Sequence, residues 1–396
     1  MMNIRREIQP ILERMAAQFP IVAIIGPRQS GKTTLAKMTF PDYTYVTLED
    51  LDRRRIAIED PRQFLAAFGQ GKGLIIDEIQ HVPDLFSYLQ TIVDEAYRPG
   101  RFIITGSQNF ALLASISQSL AGRVTLLTLL PLTVDELQQA HLLAPTLEEN
   151  LIKGFYPRIY AQPIDPEVWI RDYISNYVER DARQLLKISN LLSFQKFIAL
   201  CAARIGCILN FADLARDADV SPNTIKAWFS ILEASYIVYQ LVPHYTNYSK
   251  RLIQTPKLYF YDTGLACSLL GIQSAQELFE HPMRGNIFES FAITEMFKYR
   301  YNSHKKPHLF FWRDAQQHEV DCVFEKRYNT LIPVEIKASM TFNKALLKSL
   351  SQWQEIANLK NTPAYLIYAG DTNLNYMHYR IYTWNSIKTV VQKLDE

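Results

Sequence analysis

Short apolar runs alternating with helical patterns fill the first third of the chain. Ile21–Ile25, Tyr43–Leu48, Leu74–Ile76, Phe102–Thr105 and Val124–Leu129 each read as a buried strand followed by polar, turn or helical material. Strands alternating with helices predict a parallel sheet covered on both faces. Ahead of them, residues 1–19 carry an amphipathic helical pattern that includes Glu7 and Glu13 and lacks the apolar block of a cleavable signal. Residues 133–140 and 165–187 are helical by apolar spacing, and 191–245 hold three short helices and the strand pattern YIVYQL. From about 284 the pattern changes again, to a helix (GNIFESFAITEMFKY), three strands (HLFFWR, EVDCVFEK, TLIPVEIKAS), a lysine-bearing helix and the strand AYLIYA. The expected domains are 1–135, a helical lid or linker at 136–190, 191–248 and 249–396, with PHYTNYSKR and GIQSAQELFEHP as the lighter segments.

Composition narrows this only slightly. The 396 residues are 48% hydrophobic and 21% charged, which excludes a largely disordered chain. With 42 basic and 40 acidic residues, any nucleic-acid surface has to be local, and residues 241–348 are mildly basic. The four cysteines form no CxxC pair, which argues against a zinc site or a disulfide framework and suits a reducing, cytoplasmic setting. No run reaches the ~18 apolar residues of a spanning helix.

The most informative stretch directly follows the first strand. Gly26, Pro27, Arg28, Gln29, Ser30, Gly31, Lys32 and Thr33 match GxxxxGK[ST], and Thr34 opens an apolar helix. Glycines let successive N–H groups face one phosphate chain, and the helix N-terminus adds partial positive charge. Lys32 is expected on the outer phosphates of ATP and the Thr33 hydroxyl on Mg²⁺. The third strand ends in Asp77 and Glu78, placed where α/β sheets bind ligands. Asp77 is expected in the Mg²⁺ shell and Glu78 on the attacking water. Ser107 or Asn109, at the end of a neighbouring strand, could sense the terminal phosphate, or simply cap a turn. Arg123, in Leu-Ala-Gly-Arg, is a candidate arginine finger reaching a neighbouring subunit, with Arg180 as a second; each also reads as a structural arginine.

These segments, GPRQSGKTT, LIIDEIQ, ITGSQN and LAGRVTLLTLLPLT, resemble a family of bacterial and archaeal AAA-type ATPases with a shared C-terminal region. YVERDARQL, YFYDTGL, GNIFESF and PVEIKAS extend the likeness over nearly the whole chain. The loop Gly154-Phe-Tyr-Pro-Arg158 departs from the glycine pair usual in relatives, which leaves its role open.

Two further constellations follow. Phe211–Val220 and Ser221–Trp228 read as helix, turn, helix, with Ser221 as N-cap, Pro222 at the first helical position and a strand after, as in a winged helix. Asn223, Thr224 and Lys226 are its expected exposed face, for DNA or for packing. In the C-terminal part Glu335 and Lys337 share a strand face, Asp321 is expected beside them, and Glu289 lies on an apolar helix. Two or three carboxylates and a lysine can hold Mg²⁺ at Asp321 and Glu335 and activate a water against a phosphodiester, with Lys337 orienting or helping to deprotonate it. The set resembles the PD-(D/E)XK nuclease core; an alternating strand with a surface Glu–Lys pair is the plainer alternative. Tyr259, Tyr261 and Phe310–Trp312 read as core aromatics.

The fold class expected is thus α/β: a parallel-sheet P-loop domain, a helical lid, a winged helix and a restriction-endonuclease-like α/β domain. The leading function is ATP-driven action on DNA with a Mg²⁺-dependent nuclease-like domain, branched-DNA processing or defence being candidate roles, in a homo-oligomer (dimer or ring). The alternative is a nucleotide-switched regulatory or scaffold protein whose nuclease fold is inactive.

Overall fold

In the computed structural model, which describes residues 4–107, 120–178, 191–244, 255–327, 330–360 and 362–396, β1 (Ile21–Gly26) is buried at every position. Its side chains divide by strand parity. Ile21, Ala23 and Ile25 join one apolar cluster with Val46, Phe64, Ile76 and Ile104, while Val22 and Ile24 join a second with Leu12, Leu35, Ile75 and Ile103. A strand apolar on both faces belongs in the middle of a sheet covered twice. β2 (Thr44–Thr47), β3 (Leu74–Asp77), β4 (Phe102–Ser107) and β5 (Val124–Thr128) complete that sheet, in the order β2-β3-β4-β1-β5 and parallel throughout. The helix Lys32–Thr39 follows β1, and two helices, Leu51–Glu59 and Pro61–Phe68, lie between β2 and β3. The C-terminal ends of β1, β3 and β4 are neighbours, which brings the glycine-rich turn, Asp77 and Ser107 to one edge.

Met1–Leu132, with 234–236 and 301–305, form one compact unit, and the remainder forms a second. The second begins with the helices Val134–Gln139 and Leu147–Lys153, each opened by a reciprocal capping box, Thr133 with Glu136 and Thr146 with Glu149. The helix expected over 165–187 runs from Pro166 to Tyr173 and passes into a π-helical turn, Ile174–Val178; Arg180 lies outside the described residues. Helices Leu191–Ala202, Phe211–Ala218 and Pro222–Ala234 precede a hairpin of β6 (Val238–Leu241) and β7 (Lys257–Phe260), and Ile208 bridges antiparallel to Lys257. Asp219, left-handed at φ 55°, ends the middle helix, so the turn into Pro222 is tight.

The long helix Arg284–Asn302 leads into a mixed sheet. β8 (Leu309–Arg313), β9 (Glu319–Arg327) and β10 (Thr330–Lys337) form an antiparallel meander; β11 (Ala364–Tyr368) and β13 (Tyr379–Thr383) continue in parallel; and β12 (Leu374–Tyr376) closes the edge. Val320, Leu350, Trp353, Leu366 and Ile381 form its apolar core. Apart from 234–236 and 301–305, the described parts of the segments expected at 136–190, 191–248 and 249–396 fall in this second unit, and buried polar bonds cross between them. Asp262 accepts the Phe155 N–H at 2.7 Å, and the Tyr239 and Thr294 hydroxyls share a hydrogen bond at 3.0 Å. Among the described residues no helix is long and apolar enough to cross a membrane.

Candidate functional site

At the end of β1 the chain turns at Gly26, whose φ of +150° and position admit no side chain. A Cβ there would stand 2.2 Å from the Leu129 carbonyl oxygen. Gly31, at φ 93°, is the N-cap of the helix Lys32–Thr39, so that helix starts on bare backbone N–H groups. Gly26, Pro27, Ser30 and Lys32 are buried, Arg28, Gln29, Gly31 and Thr33 are half-buried, and Thr34 is exposed. The Lys32 ammonium folds back over the loop, donating to the Pro27 carbonyl at 2.7 Å and the Gly26 carbonyl at 3.2 Å. Burial pulls its pKa down to about 8, against the partial opposition of Glu78 and Asp77. The Ser30 hydroxyl is buried without a hydrogen-bond partner.

Asp77 is the hub beneath this loop. Its Oδ1 accepts from Thr33 Oγ1 at 2.9 Å and from the Thr105 hydroxyl, and its Oδ2 accepts from Tyr45 Oη at 2.9 Å. Two residues expected around one Mg²⁺ thus already touch. A hydroxyl and a carboxylate at the foot of a phosphate-sized turn, beside an orphaned buried hydroxyl, are the hard oxygen donors that Mg²⁺ takes. Glu78 follows in left-handed conformation (φ 55°), and its Oε2 accepts from Gln80 Nε2 and, at 3.4 Å, from Ser107 Oγ. Ser107 therefore sits on the glutamate, while Asn109 lies outside the described residues.

Arg123 makes a bidentate pair with Asp94, at 2.5 and 2.8 Å, and also donates to the Ala121 carbonyl at 3.0 Å. To serve as a finger it would have to give up that pair. Several residues in this region were given no role from the sequence. Thr105 and Gln80 lie inside the segments ITGSQN and LIIDEIQ; Tyr45 and Arg6 lie outside any motif, and the Arg6 guanidinium donates to the Ser30 carbonyl and to the Leu130 carbonyl, each at 2.7 Å, fastening the loop. The only sequence signal for Arg6 is a charged pair ahead of an apolar helix.

The second constellation lies in the second unit. Asp321 and Glu335 project from the antiparallel neighbours β9 and β10. Where β9 no longer supplies a backbone partner, Asp321 Oδ2 accepts the Ile336 N–H at 2.8 Å. Lys337 Nζ lies 3.1 Å from Asp321 Oδ2 and 2.6 Å from Glu335 Oε1. Burial, then the Asp321 charge, raises the Glu335 carboxyl above the usual range; burial works against the Lys337 charge, but Asp321 and Glu335 outweigh it and raise its pKa. Glu289 is brought to the same end of the unit but is held differently. Its Oε1 accepts from Lys257 Nζ at 3.0 Å and from Tyr259 Oη at 2.5 Å, both from β7. Burial and then Asp321 raise its pKa. Tyr259, read as a core aromatic, is wholly buried and also a donor to this carboxylate.

In the segment of three helices, Asn223 and Lys226 are exposed and Thr224 is half-buried, with Ser221 Oγ capping the Thr224 N–H at 3.1 Å. The departing loop at 154–158 proves architectural. Gly154 has φ +69°, a Cβ there would stand 2.4 Å from Asp262 Oδ1, and the Asp262 carboxylate also caps the helix Thr263–Leu269 through the Leu265 N–H.

A five-stranded parallel sheet whose glycine-rich turn, buried lysine and Thr33–Asp77 pair share one edge defines a P-loop ATPase domain of the AAA type. Family models agree: residues 18–138 match an AAA domain, while 144–276 and 284–387 match two domains of unknown function, DUF8612 and DUF4143. The chain belongs to the family that includes the uncharacterized protein Rv2008c of Mycobacterium tuberculosis, to which it is 34% identical over 325 residues, 81% of this chain and 71% of that protein. Among solved structures, the Walker-type ATPase PABY2304 of Pyrococcus abyssi aligns at 14% identity over 67% of this chain and 95% of its own, with a TM-score of 0.45. A point mutant of Thermotoga maritima RuvB aligns at 17% over 60% and 90%, with a TM-score of 0.33. Neither overlap carries functional content.

Proposed function

We propose that the chain is an ATP-hydrolysing machine of the cytoplasm that acts on DNA, its second unit offering a winged-helix contact and a nuclease-like phosphodiester site. One observation carries this reading: the same chain holds a preformed Thr33–Asp77 pair under a buried lysine and, separately, an Asp321–Glu335–Lys337 set on adjacent strands.

In the first unit, Thr33 and Asp77 would hold Mg²⁺, which when bound neutralises phosphate charge. Lys32 leaves its two carbonyls for the outer phosphates, and the Lys32–Thr39 helix N-terminus faces the same anion. Glu78, steadied by Gln80 and Ser107, orients the attacking water and accepts its proton. A homo-oligomer, dimer or ring, is required if Arg123 acts in trans. In the second unit, three helices, the Ile208 bridge and the β6–β7 hairpin would serve as a winged helix, with Asn223 and Lys226 exposed to meet DNA. Asp321 and Glu335 would hold a divalent cation, and Lys337 would orient a water toward a phosphodiester.

Phosphate release is compared for wild type and Lys32→Ala; equal rates would remove the motor. Branched and linear DNA are incubated with Mg²⁺ and ATP; absence of cleavage, or cleavage equal to that of Asp321→Ala and Lys337→Ala, would remove the nuclease. A second reading, a nucleotide switch with an inactive nuclease fold, draws on the engagement of Glu289 by Lys257 and Tyr259. DNA affinity that falls by roughly a decade or more over a few-fold rise in salt favours the first reading, and salt-insensitive binding of a protein partner the second.

A further inference from the structure

Lys257 belongs to the stretch matched by one family domain, residues 144–276, while Glu289, Asp321, Glu335 and Lys337 belong to another, residues 284–387. Yet its side chain is only 4% exposed and ends inside their cluster, 3.0 Å from Glu289 Oε1 and 2.5 Å from Glu319 Oε1. Tyr259, two residues further along β7 and therefore on the same face, donates to the same Glu289 oxygen at 2.5 Å. Two strong donors from one strand fix that carboxylate toward the hairpin. Asp321 and Glu335 are held otherwise: they share Lys337, and Glu335 Oε2 remains buried with no hydrogen-bond partner. Among the described residues, no three Asp, Glu, His or Cys side chains converge as a metal-binding group. Glu289 is thus engaged by Lys257 and Tyr259, while Asp321 and Glu335 are engaged by Lys337.

The charges give the same answer. Four carboxylates (Glu289, Glu319, Asp321, Glu335) face Lys257, Lys337 and, at 3.6 Å from Glu319, Arg313. The cluster carries one net negative charge when all are ionised. One divalent cation and one phosphodiester bring it to neutrality; two cations would leave it strongly positive in a poorly solvated place.

We propose that Lys257 is a built-in counter-cation for Glu289, so that this site takes a single divalent cation of the Mg²⁺ or Mn²⁺ class, on Asp321 and Glu335. The inference rests on the reading of this cluster as a divalent-cation site. Lys257 acts through Glu289 and is a positioning residue.

The test is a Mn²⁺ titration of the full-length, nucleotide-free protein, free Mn²⁺ being read by electron paramagnetic resonance. Binding lost in Asp321→Asn defines the site, so any Mn²⁺ elsewhere cancels. Wild type is expected to bind one Asp321-dependent Mn²⁺. Lys257→Gln is expected to bind a second, or to hold the first about tenfold tighter or more, since a nearby positive charge has gone. Lys257→Arg keeps the charge and is expected to keep one ion. Glu289→Gln is also expected to keep one, and decides the matter if Lys257→Gln fails to fold. Two Asp321-dependent ions in wild type, an unchanged titration in Lys257→Gln, or loss of the ion in Glu289→Gln would overturn the inference while leaving a metal site in place. No Asp321-dependent ion in wild type would overturn both the inference and the reading beneath it.

Discussion

Lys32→Met is expected to make the nucleotide-free first unit more stable, and only over a defined pH range. Lys32 is buried, and its pKa is drawn from 10.5 to about 8. The difference corresponds to about 3 kcal/mol that the folded protein spends in carrying the charge. Methionine removes this cost while fitting a similar volume. It also removes the donor to the Gly26 and Pro27 carbonyls, which returns about 1–2 kcal/mol of the gain. The net stabilisation is then ~1–2 kcal/mol, or ~3–8 °C in melting temperature for a unit of this size.

The sign follows from proton binding. Between about pH 8 and 10.5 the unfolded lysine holds its proton while the folded one does not, so wild-type stability rises with pH there. The cost of the charge is therefore full below about pH 8 and gone by about 10.5, so the advantage of methionine is full below about pH 8 and vanishes partway through that range. Differential scanning calorimetry from pH 6 to 10 measures it, and the transition that ATP and Mg²⁺ raise in wild type identifies the first unit. Added nucleotide should reverse the order, since only wild type gains binding free energy. A mutant that melts at or below wild type at pH 6–7.5 without nucleotide, or a gap independent of pH, would refute the reasoning.

Asp77→Asn should raise the Mg²⁺ needed for half-maximal ATP turnover by about tenfold or more, whereas Tyr45→Phe, which removes one of three hydroxyl donors to Asp77, should raise it ~2–3-fold; steady-state Mg²⁺ titrations distinguish them. Gln80→Ala releases Glu78 and should lower kcat by about tenfold with ATP Kd unchanged, read by turnover alongside fluorescent-nucleotide titration. Gly154→Ala places a methyl against the buried Asp262 carboxylate and should destabilise the second unit by ~2–4 kcal/mol in denaturant unfolding, with ATP binding by the first unit retained.

What was legible in the sequence was what is local. The turn from Gly26 to Thr33 is a run of adjacent residues whose backbone must curl in one way, and β1, β3 and β4 each open on an unbroken apolar run. Asp77, Glu78 and Ser107 could be placed because strand ends in a parallel sheet share an edge. Arg6 and Tyr45 could not, since each reaches the site from its own stretch of chain with no spacing to mark it, whereas Thr105 and Gln80 lie inside the marked segments ITGSQN and LIIDEIQ and only their bonds to Asp77 and Glu78 were hidden. Lys257 was hidden for another reason: in Lys-Leu-Tyr-Phe it opens an apolar strand, and its partner Glu289 sits on a helix 32 residues away. The loop at 154–158 looked like a departure from a functional pattern because Asp262, the group that explains it, is likewise remote in sequence.

The two sites also differ in what their buried lysines lack. Lys32 is bonded directly only to carbonyls, its carboxylate neighbours being engaged by hydroxyls and an amide, and burial therefore wins and lowers its pKa. Lys257 and Lys337 touch carboxylates directly, at 2.5–3.1 Å, and there the opposite charges win over burial and raise it. An under-neutralised buried ammonium gains from a polyanion, and that gain is available only when phosphate arrives. A fully paired ammonium gains little from one, while the carboxylates around it, still in excess, gain from a cation. On the proposed reading, the first site is set for a phosphate chain and the second for a metal ion, and the difference lies in which oxygens each lysine meets at rest.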